Sequence, residues 1–393
     1  MNRFCSLVLT AAALLFMSAC STPEDLAAPT LEPQFGTVND DIGVDVATSP
    51  TGYIYELSTE SQPDPYYDAV ITTHLRRYDS SGKVLWDREV LTSYAQNKND
   101  HLIPHAVYTD KVGNAYVWIS DAYSYYDEEE GYATRRYSQM YKYNAAGELV
   151  DQTPLTPHCL GSCSVDVAVD GNGFAYVARS GYMYDFGSED YYDTVYESVV
   201  GTGRSERPST VGTLKGITVS SSGSVYVVGT KGIARYTNGN LAWTKPGNFE
   251  DVIVSGSNLY TRYRREIRKW DGTGKQLWMR MQGGLDTMVF QDMDGDGSGN
   301  VYLSGKYDAD TSDTRNMDAM VRKLSPSGSV LWTKTYGTPK YDDARGIATL
   351  SGSEIYVTGE TQGSLAHTNR GGPEQRDGYL RKLSSSGNPV WTR

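Results

Sequence analysis

Residues 376–391 read RDGYLRKLSSSGNPVW, and residues 317–332 read MDAMVRKLSPSGSVLW. Both stretches pass from a basic residue and a leucine through a polar triplet to a glycine, and both end on a tryptophan. A strand, a turn whose glycine takes a positive φ, and a second strand that pairs back explain this order. Related copies stand upstream at Arg77–Gly82, Lys142–Gly147, Lys269–Gly274 and, one residue shorter, Arg235–Gly239.

A second landmark is a short apolar strand with a central tyrosine, which recurs about every 50 residues. Its seven copies centre on Tyr55, Tyr116, Tyr176, Tyr226, Tyr260, Tyr302 and Tyr356. A unit of this length holds four short strands, here named a to d, and such repeats are typical of β-propellers. The sequence therefore predicts an all-β fold, a seven-bladed β-propeller with four-stranded antiparallel blades, over residues 35–393. The tryptophan that ends five of the units, at Trp86, Trp243, Trp278, Trp332 and Trp391, is expected to pack between neighbouring blades.

These repeats resemble the SBBP family, bacterial repeats that form seven-bladed β-propellers. The similarity rests on the two landmarks above; it is clearest in repeats six and seven and weakest in repeats three and five. That family is defined by its fold. The resemblance therefore implies the architecture and says little about an activity.

The N-terminus, MNRFCSLVLTAAALLFMSAC, has the basic start and short apolar run of an export signal. Met17–Cys20 resembles the bacterial lipobox, which implies a lipoprotein signal peptide over residues 1–19 and lipidation of Cys20. Ser21 then favours the outer membrane or the cell surface, and the proline-containing residues 20–34 are interpreted as the lipidated cysteine and a flexible tether. An ordinary cleaved signal is the alternative. The protein is thus expected to be exported and anchored in the cell envelope.

The stretch DMDGDGSGN spaces oxygen ligands as calcium requires: Asp292, Asp294, Asp296, the Ser298 carbonyl and Asn300. Phe290 precedes Tyr302 by twelve residues, which suggests an enlarged a–b hairpin. The sequence predicts a structural calcium ion there, and an acidic turn without an ion is the alternative. Because a–b turns lie on one face of a propeller, this site would lie opposite the b–c loops.

The b–c loops of repeats one to three are long and rich in tyrosine and carboxylates. Side chains of these types stack on sugars or apolar groups and attract cations, so these loops are the candidate binding face. A solvated acidic rim is the alternative. The candidate residues are Tyr66, Tyr67, Tyr125, Tyr126, Tyr191 and Tyr192.

Two cysteines in the repeats, Cys159 and Cys163, close a small loop, and export predicts a disulfide between them. Free thiols, or half of a metal site, are the alternatives.

The net charge of -12 argues against nucleic acid as a partner. No G-x-S-x-G, P-loop or dinucleotide motif occurs, so no catalytic residue is assigned. The favoured function is a non-catalytic binding or scaffold module, expected as a monomer, whose partner is an envelope protein or a carbohydrate. The alternatives are a component of outer-membrane assembly, or a propeller hydrolase or lyase with its site over the central channel.

Overall fold

A computed structural model describes residues 40–65, 69–95, 101–127, 131–155, 159–160, 164–180, 183–185, 190–192, 196–197, 207–208, 210–283, 288–308, 317–365 and 375–393. These residues belong to one compact unit, Gln34–Arg393. Their regular elements are all β-strands, as the sequence predicts, and small antiparallel sheets follow one another along the chain as the blades of a β-propeller.

Six of the seven repeats form a four-stranded sheet in strand order a-b-c-d. Repeat one contributes β1 (Ile42–Thr48), β2 (Ile54–Gln62), β3 (Ala69–Tyr78) and β4 (Val84–Ala95). Repeat two contributes β5 (His101–Thr109), β6 (Ala115–Asp127), β7 (Gly131–Tyr143) and β8 (Leu149–Pro154), and a short β9 (Cys159–Leu160) also pairs with β7.

Repeat three departs from the predicted pattern. Its described residues form three separate two-stranded sheets: β10 (Ser164–Val169) with β11 (Ala175–Ser180), β12 (Met183–Asp185) with β13 (Asp190–Tyr192), and β14 (Tyr196–Glu197) with β15 (Arg207–Pro208). The structure thus shows six four-stranded blades where the sequence predicts seven. Repeat three lacks the basic-to-glycine turn that joins the outer strands in the other six repeats, and it also lacks the closing tryptophan that five of those repeats have.

The last four repeats are regular. Repeat four contributes β16 (Leu214–Val219), β17 (Val225–Gly229), β18 (Gly232–Thr237) and β19 (Asn240–Pro246), and repeat five β20 (Asp251–Ser255), β21 (Asn258–Tyr263), β22 (Glu266–Trp270) and β23 (Gln276–Met281). Repeat six contributes β24 (Val289–Gly295), β25 (Val301–Asp308), β26 (Met317–Leu324) and β27 (Val330–Tyr336), and repeat seven β28 (Asp342–Leu350), β29 (Glu354–Thr361), β30 (Asp377–Ser384) and β31 (Pro389–Thr392).

The tryptophan on the outer strand of repeats one, four, five, six and seven packs between blades. Trp332 donates its indole N–H to the Ser385 carbonyl of the next blade at 3.1 Å, and its ring lies edge-on to Tyr302 of its own blade. Gly387, in that next blade, has φ +78°, and a Cβ there would lie 3.0 Å from the Trp332 ring. Equivalent tryptophan-to-turn bonds are made by Trp86, Trp243, Trp278 and Trp391.

The C-terminal residues join the last blade to the first. Trp391 donates to the Ser80 carbonyl at 3.3 Å, and Arg393 donates from Nε to the Gly82 carbonyl at 2.8 Å. At the inner end, Thr48 donates from its hydroxyl to the Thr349 carbonyl at 2.9 Å. Blades one and seven therefore meet along their full depth, and the ring is closed there.

The two faces of the ring differ. The lower face carries the a–b and c–d turns, which are short and built alike, for example Asp110–Asn114 and Ser220–Ser224. The upper face carries the b–c and d–a connections. Antiparallel pairing fixes this division because every a strand begins at the upper face and ends at the lower face.

Candidate functional site

The a strands surround a central channel that holds a cavity of about 430 Å³. One strand from each of the seven repeats contributes to its lining: β1, β5, β10, β16, β20, β24 and β28. Its polar lining residues are Asp45, His105, Tyr108, Asp166, Thr218, Asp251, Gln291, Asp292 and Arg345. Four aspartates thus face one cavity, a concentration of carboxylates that the sequence analysis did not single out.

Three of these aspartates join neighbouring a strands through the same pair of hydrogen bonds. The Asp45 carboxylate accepts the N–H of Val46, on its own strand, at 2.8 Å and the N–H of Val107, on the next a strand, at 2.9 Å. The register of β1 against β2 shifts just before Asp45. The equivalent bonds join Asp166 to Val167 and Ile217, and Asp292 to Met293 and Ile347.

Burial in the channel raises the pKa values of these carboxyls. It raises the pKa of Asp45 and of Asp166 to about 7, although backbone N–H donors oppose the shift. Burial also raises the pKa of Asp292 well above its usual range, and the charges of Asp45 and Asp251 add to this effect. A carboxyl group whose pKa lies near 7 can accept or release a proton at physiological pH.

A second polar group lies where blades six and seven meet the upper end of the channel. The fully buried Asp343 carboxylate accepts hydrogen bonds from Lys306 at 3.1 Å, Tyr341 at 3.0 Å and Gln291 at 2.6 Å. The fully buried Glu360 accepts from Arg345 and Arg376, each at 2.9 Å. This cluster could not be predicted from the sequence, because its partners come from two repeats and no local motif joins them.

The five predicted calcium ligands lie in and beside the hairpin of repeat six, but their carboxylates point to different partners. Asp294 accepts the backbone N–H of Thr349 at 2.7 Å and its hydroxyl at 2.9 Å, both from blade seven. Asp296 accepts the N–H groups of Ser298 and Asn300 within its own turn, at 2.9 and 3.0 Å. In the part of the chain that the structure describes, no three His, Cys, Asp or Glu side chains lie close enough to hold a metal ion.

The predicted enlargement of this hairpin is wrong. Gly295 pairs with Val301 as Val219 pairs with Val225, so Gly295, and not Phe290, is the equivalent of Val219. Asp292 and Asp294 belong to strand β24, and the remaining turn, Asp296–Asn300, is as long as its counterpart in repeat four. Charged residues are stable in this strand because N–H groups of the next blade pair with their carboxylates.

Calcium binding at this hairpin stays a prediction, and the hydrogen bonds supply a test of it. The Asp294→Ala variant should lose about 1–3 kcal/mol of unfolding free energy even in EGTA, because the Thr349 N–H is left without an acceptor. Asp294→Asn keeps one acceptor oxygen and should lose less than about 1 kcal/mol. Urea unfolding measures both variants in EGTA and in calcium. If Asp294→Ala loses stability only in calcium, the carboxylate acts as a metal ligand and not as an inter-blade acceptor.

Four of the six candidate tyrosines lie on strands where the sequence analysis expected loops. Tyr125 and Tyr126 are in β6, opposite Ala133 and Tyr132 of β7. Tyr191 and Tyr192 are in β13, opposite Tyr184 and Met183 of β12. Tyrosine-rich segments favour extended backbone, which explains hairpins in place of loops.

The other predicted sites are only partly described. Tyr66, Tyr67, Cys20 and Cys163 lie outside the described residues. Cys159 begins β9, opposite Arg136 of β7, so the disulfide with Cys163 stays a prediction.

Comparisons with known proteins identify no family for this chain. No family model matches the chain, and no curated protein does. Among solved structures, a puromycin hydrolase matches at 12% identity and a TM-score of 0.47, over 88% of this chain and 52% of its own. Prolyl oligopeptidase B from Galerina marginata matches at 11% identity and a TM-score of 0.43, over 89% of this chain and 49% of its own.

A protein of unknown function from Dyadobacter fermentans matches at 10% identity and a TM-score of 0.43, over 88% of this chain and 96% of its own. The chain thus spans only about half the length of the two hydrolases. At these identities the matches identify neither a family nor an activity. None of the described residues forms a helix that is long and apolar enough to cross a membrane.

Proposed function

We propose that this protein is a non-catalytic binding or scaffold module, held at the outer membrane or cell surface by a lipid on Cys20, and that its partner binds the upper face. The partner is an envelope protein or a carbohydrate. An assembly component of the outer membrane is one form of such a scaffold.

One observation carries this proposal: the hairpin of repeat two extends beyond its blade. Strand β5 pairs with β6 only as far as Ala122, whereas β6 and β7 continue for five further residue pairs, up to Asp127 opposite Gly131. At about 3.3 Å per residue this extension is roughly 17 Å long. Lengthened segments on one side of a rigid scaffold are where partners usually bind.

The composition of the extension favours the same surface. The segment from Tyr123 to Tyr132 contains four tyrosines and four carboxylates within ten residues, and β12 and β13 add further tyrosines. Tyrosine offers a large amphipathic surface with little conformational entropy to lose, and carboxylates attract cationic groups. A basic protein segment or a sugar chain fits this chemistry.

We further propose that β10 and β11 are the inner strands of a seventh blade. Strand β10 lies between β5 and β16, and its residues line the channel as those of the a strands in the other repeats do. The Asp166 carboxylate reaches the Ile217 N–H of β16 as Asp45 reaches Val107. A seven-membered ring accounts for both observations.

A hydrolase or lyase with its site over the channel is the second candidate. The raised pKa values of Asp45 and Asp166 favour it, because general acid and base groups need a pKa near the working pH. The backbone hydrogen bonds of the same residues favour the scaffold. The Asp45 and Asp166 carboxylates each accept an N–H of the next strand, so they already have a structural role.

The proposal is tested by changing Tyr125, Tyr126, Tyr191 and Tyr192 together to serine. Capture of the partner from an envelope extract should fall by about tenfold or more, as expected when several aromatic anchors of one interface are lost. The matched control is the double variant Val112→Ser, Phe174→Ser on the lower face, where both side chains are exposed. Quantitative mass spectrometry measures the captured proteins. Unchanged capture by the tyrosine variant, with the wild-type melting temperature, would refute the upper face as the binding surface.

A further inference from the structure

The outer strand of blade five, β23, carries two exposed methionines at positions where the outer strands of blades one, four and six carry polar residues or proline. Met279 and Met281 are 45% and 64% exposed. The equivalent pairs in blades one, four and six are polar or contain proline, and the charges of blade one and the proline of blade four discourage pairing with other chains. Those pairs are Asp87 with Glu89, Thr244 with Pro246, and Thr333 with Thr335.

The backbone of this strand is open at the same two residues. Among the described residues, strand β23 pairs only with β22, and Gln282 donates its N–H to the Arg265 carbonyl at 2.8 Å. Backbone groups of an antiparallel strand alternate in direction, so those of Arg280 and Gln282 point to β22. The N–H groups of Met279 and Met281 therefore point away from the blade, towards the solvent edge.

Blade five is also basic, in an acidic protein. From Glu250 to Gln282 it has seven Lys and Arg residues and four Asp and Glu residues, whereas the whole chain carries a net charge of -12. Arg264 lies exposed in the b–c turn, Lys275 in the c–d turn, and Arg280 on β23 itself. Within the described part of the chain, none of these three side chains forms an ion pair. Cations therefore stand at both ends of the open edge and in its middle.

We propose that the outer edge of blade five binds an extended acidic segment of a partner protein, which pairs with β23 as a fifth strand. The outward N–H groups of Met279 and Met281 supply the main-chain hydrogen bonds of such an added strand. The methionine side chains are flexible and polarisable, so they accommodate different apolar side chains of the segment. Arg264, Lys275 and Arg280 select carboxylates. This surface lies at the rim of the ring and does not depend on the upper-face proposal.

Fluorescence anisotropy tests the proposal with a labelled peptide of alternating valine and glutamate, and with a second peptide in which lysine replaces glutamate. The glutamate peptide should bind at least about tenfold more tightly, and added salt should weaken it, because the selection is electrostatic. Changing Arg264, Lys275 and Arg280 to glutamate should reverse the preference. Equal affinity of the wild-type protein for the two peptides would overturn the proposal.

Met279→Pro tests the strand pairing itself. Proline removes an outward N–H and no hydrogen bond within the blade, so the protein should fold while its affinity for the glutamate peptide falls by about tenfold. Thr244→Pro, at the equivalent residue of blade four, is the matched control and should leave the affinity unchanged. Met279→Asp keeps the backbone donor but places a negative charge beside the acidic peptide, so it should also weaken binding. This variant replaces Met279→Pro in the test if the proline variant does not fold.

Wild-type affinity in both Met279 variants would contradict the added strand. Dimerisation of the free protein that is lost in Met279→Pro, measured by sedimentation, would show that the edge pairs with a second copy, and it would also overturn the proposal.

Discussion

Replacing Gly328 with alanine should lower the free energy of unfolding by about 2–4 kcal/mol, since it combines backbone strain with overpacking. Gly328 has φ +80°, which L-residues rarely adopt. A Cβ there would lie 2.8 Å from Arg280 Cγ and 3.0 Å from the Trp278 ring of the preceding blade. Because the Trp278 indole is held by its bond to the Pro326 carbonyl at 3.1 Å, the ring cannot move aside without losing that bond.

Gly223 supplies the matched control. It also has a positive φ, +75°, but no atom lies within 4 Å of the place that its Cβ would take. Gly223→Ala should therefore cost only the backbone strain, about 1 kcal/mol. Urea unfolding of the two variants separates strain from the contact between blades. Equal losses would mean that the turn glycines are needed for their φ alone and that the tryptophan packing does not constrain them.

The protein should lose stability as the pH rises from 5 to 8, which is opposite to the behaviour of most salt-bridged carboxylates. Burial raises the pKa of Asp45 and Asp166 from 3.8 to about 7 in the folded protein. Between those values the folded protein binds more protons than the unfolded chain. Raising the pH therefore favours unfolding, by up to about 1.4 kcal/mol per pH unit for each group, and the loss is complete above the folded pKa.

Below pH 4 the dependence should reverse, and the protein should lose stability as the pH falls. Burial acts to raise the pKa of Asp110, but hydrogen bonds from Asn114 and Tyr116 outweigh it and hold the pKa below its usual value. Such a group stabilises the fold above its unfolded pKa and loses that effect as the pH falls through its folded pKa. Stability should thus be greatest near pH 4, where the two trends meet.

Thermal unfolding as a function of pH measures both limbs, and Asp166→Asn isolates one channel group. The variant should be less stable than the wild type at pH 5, because the amide has only one acceptor oxygen for the N–H groups of Val167 and Ile217. Its loss of stability between pH 5 and 7 should be shallower by up to about 1.4 kcal/mol per pH unit. A slope identical to the wild type would show that Asp166 does not titrate in this range.

The blades could be predicted from the sequence because single residues, repeated at a fixed spacing, make the packing contacts between them. Trp332 and Gly387 belong to different repeats, but the Trp332 ring packs against residue 387 so closely that only glycine fits there. Equivalent tryptophan and glycine pairs recur around the ring. Repeat three could not be predicted in this way. It keeps the inner strand around Tyr176 but lacks the outer landmarks, and its described residues form three two-stranded sheets in place of one four-stranded sheet.

The channel could not be predicted from local patterns. Asp292 and Asp294 alternate with other residues as calcium ligands do, and a sequence does not show that N–H groups of Ile347 and Thr349 lie opposite them. Nor does it show that Asp343 meets Lys306, which comes from the preceding repeat. Both arrangements depend on how neighbouring blades are placed, and repeat spacing carries no information about that.

The binding face is tested most directly by cross-linking in the native envelope. A photoreactive benzoylphenylalanine replaces Tyr125 on the upper hairpin in one strain and Phe174 on the lower face in another, where the native side chain is 56% exposed. Binding through the upper face predicts a covalent adduct with a partner protein or glycan from residue 125 and only background from residue 174. Adducts from residue 174 with none from residue 125 would contradict it.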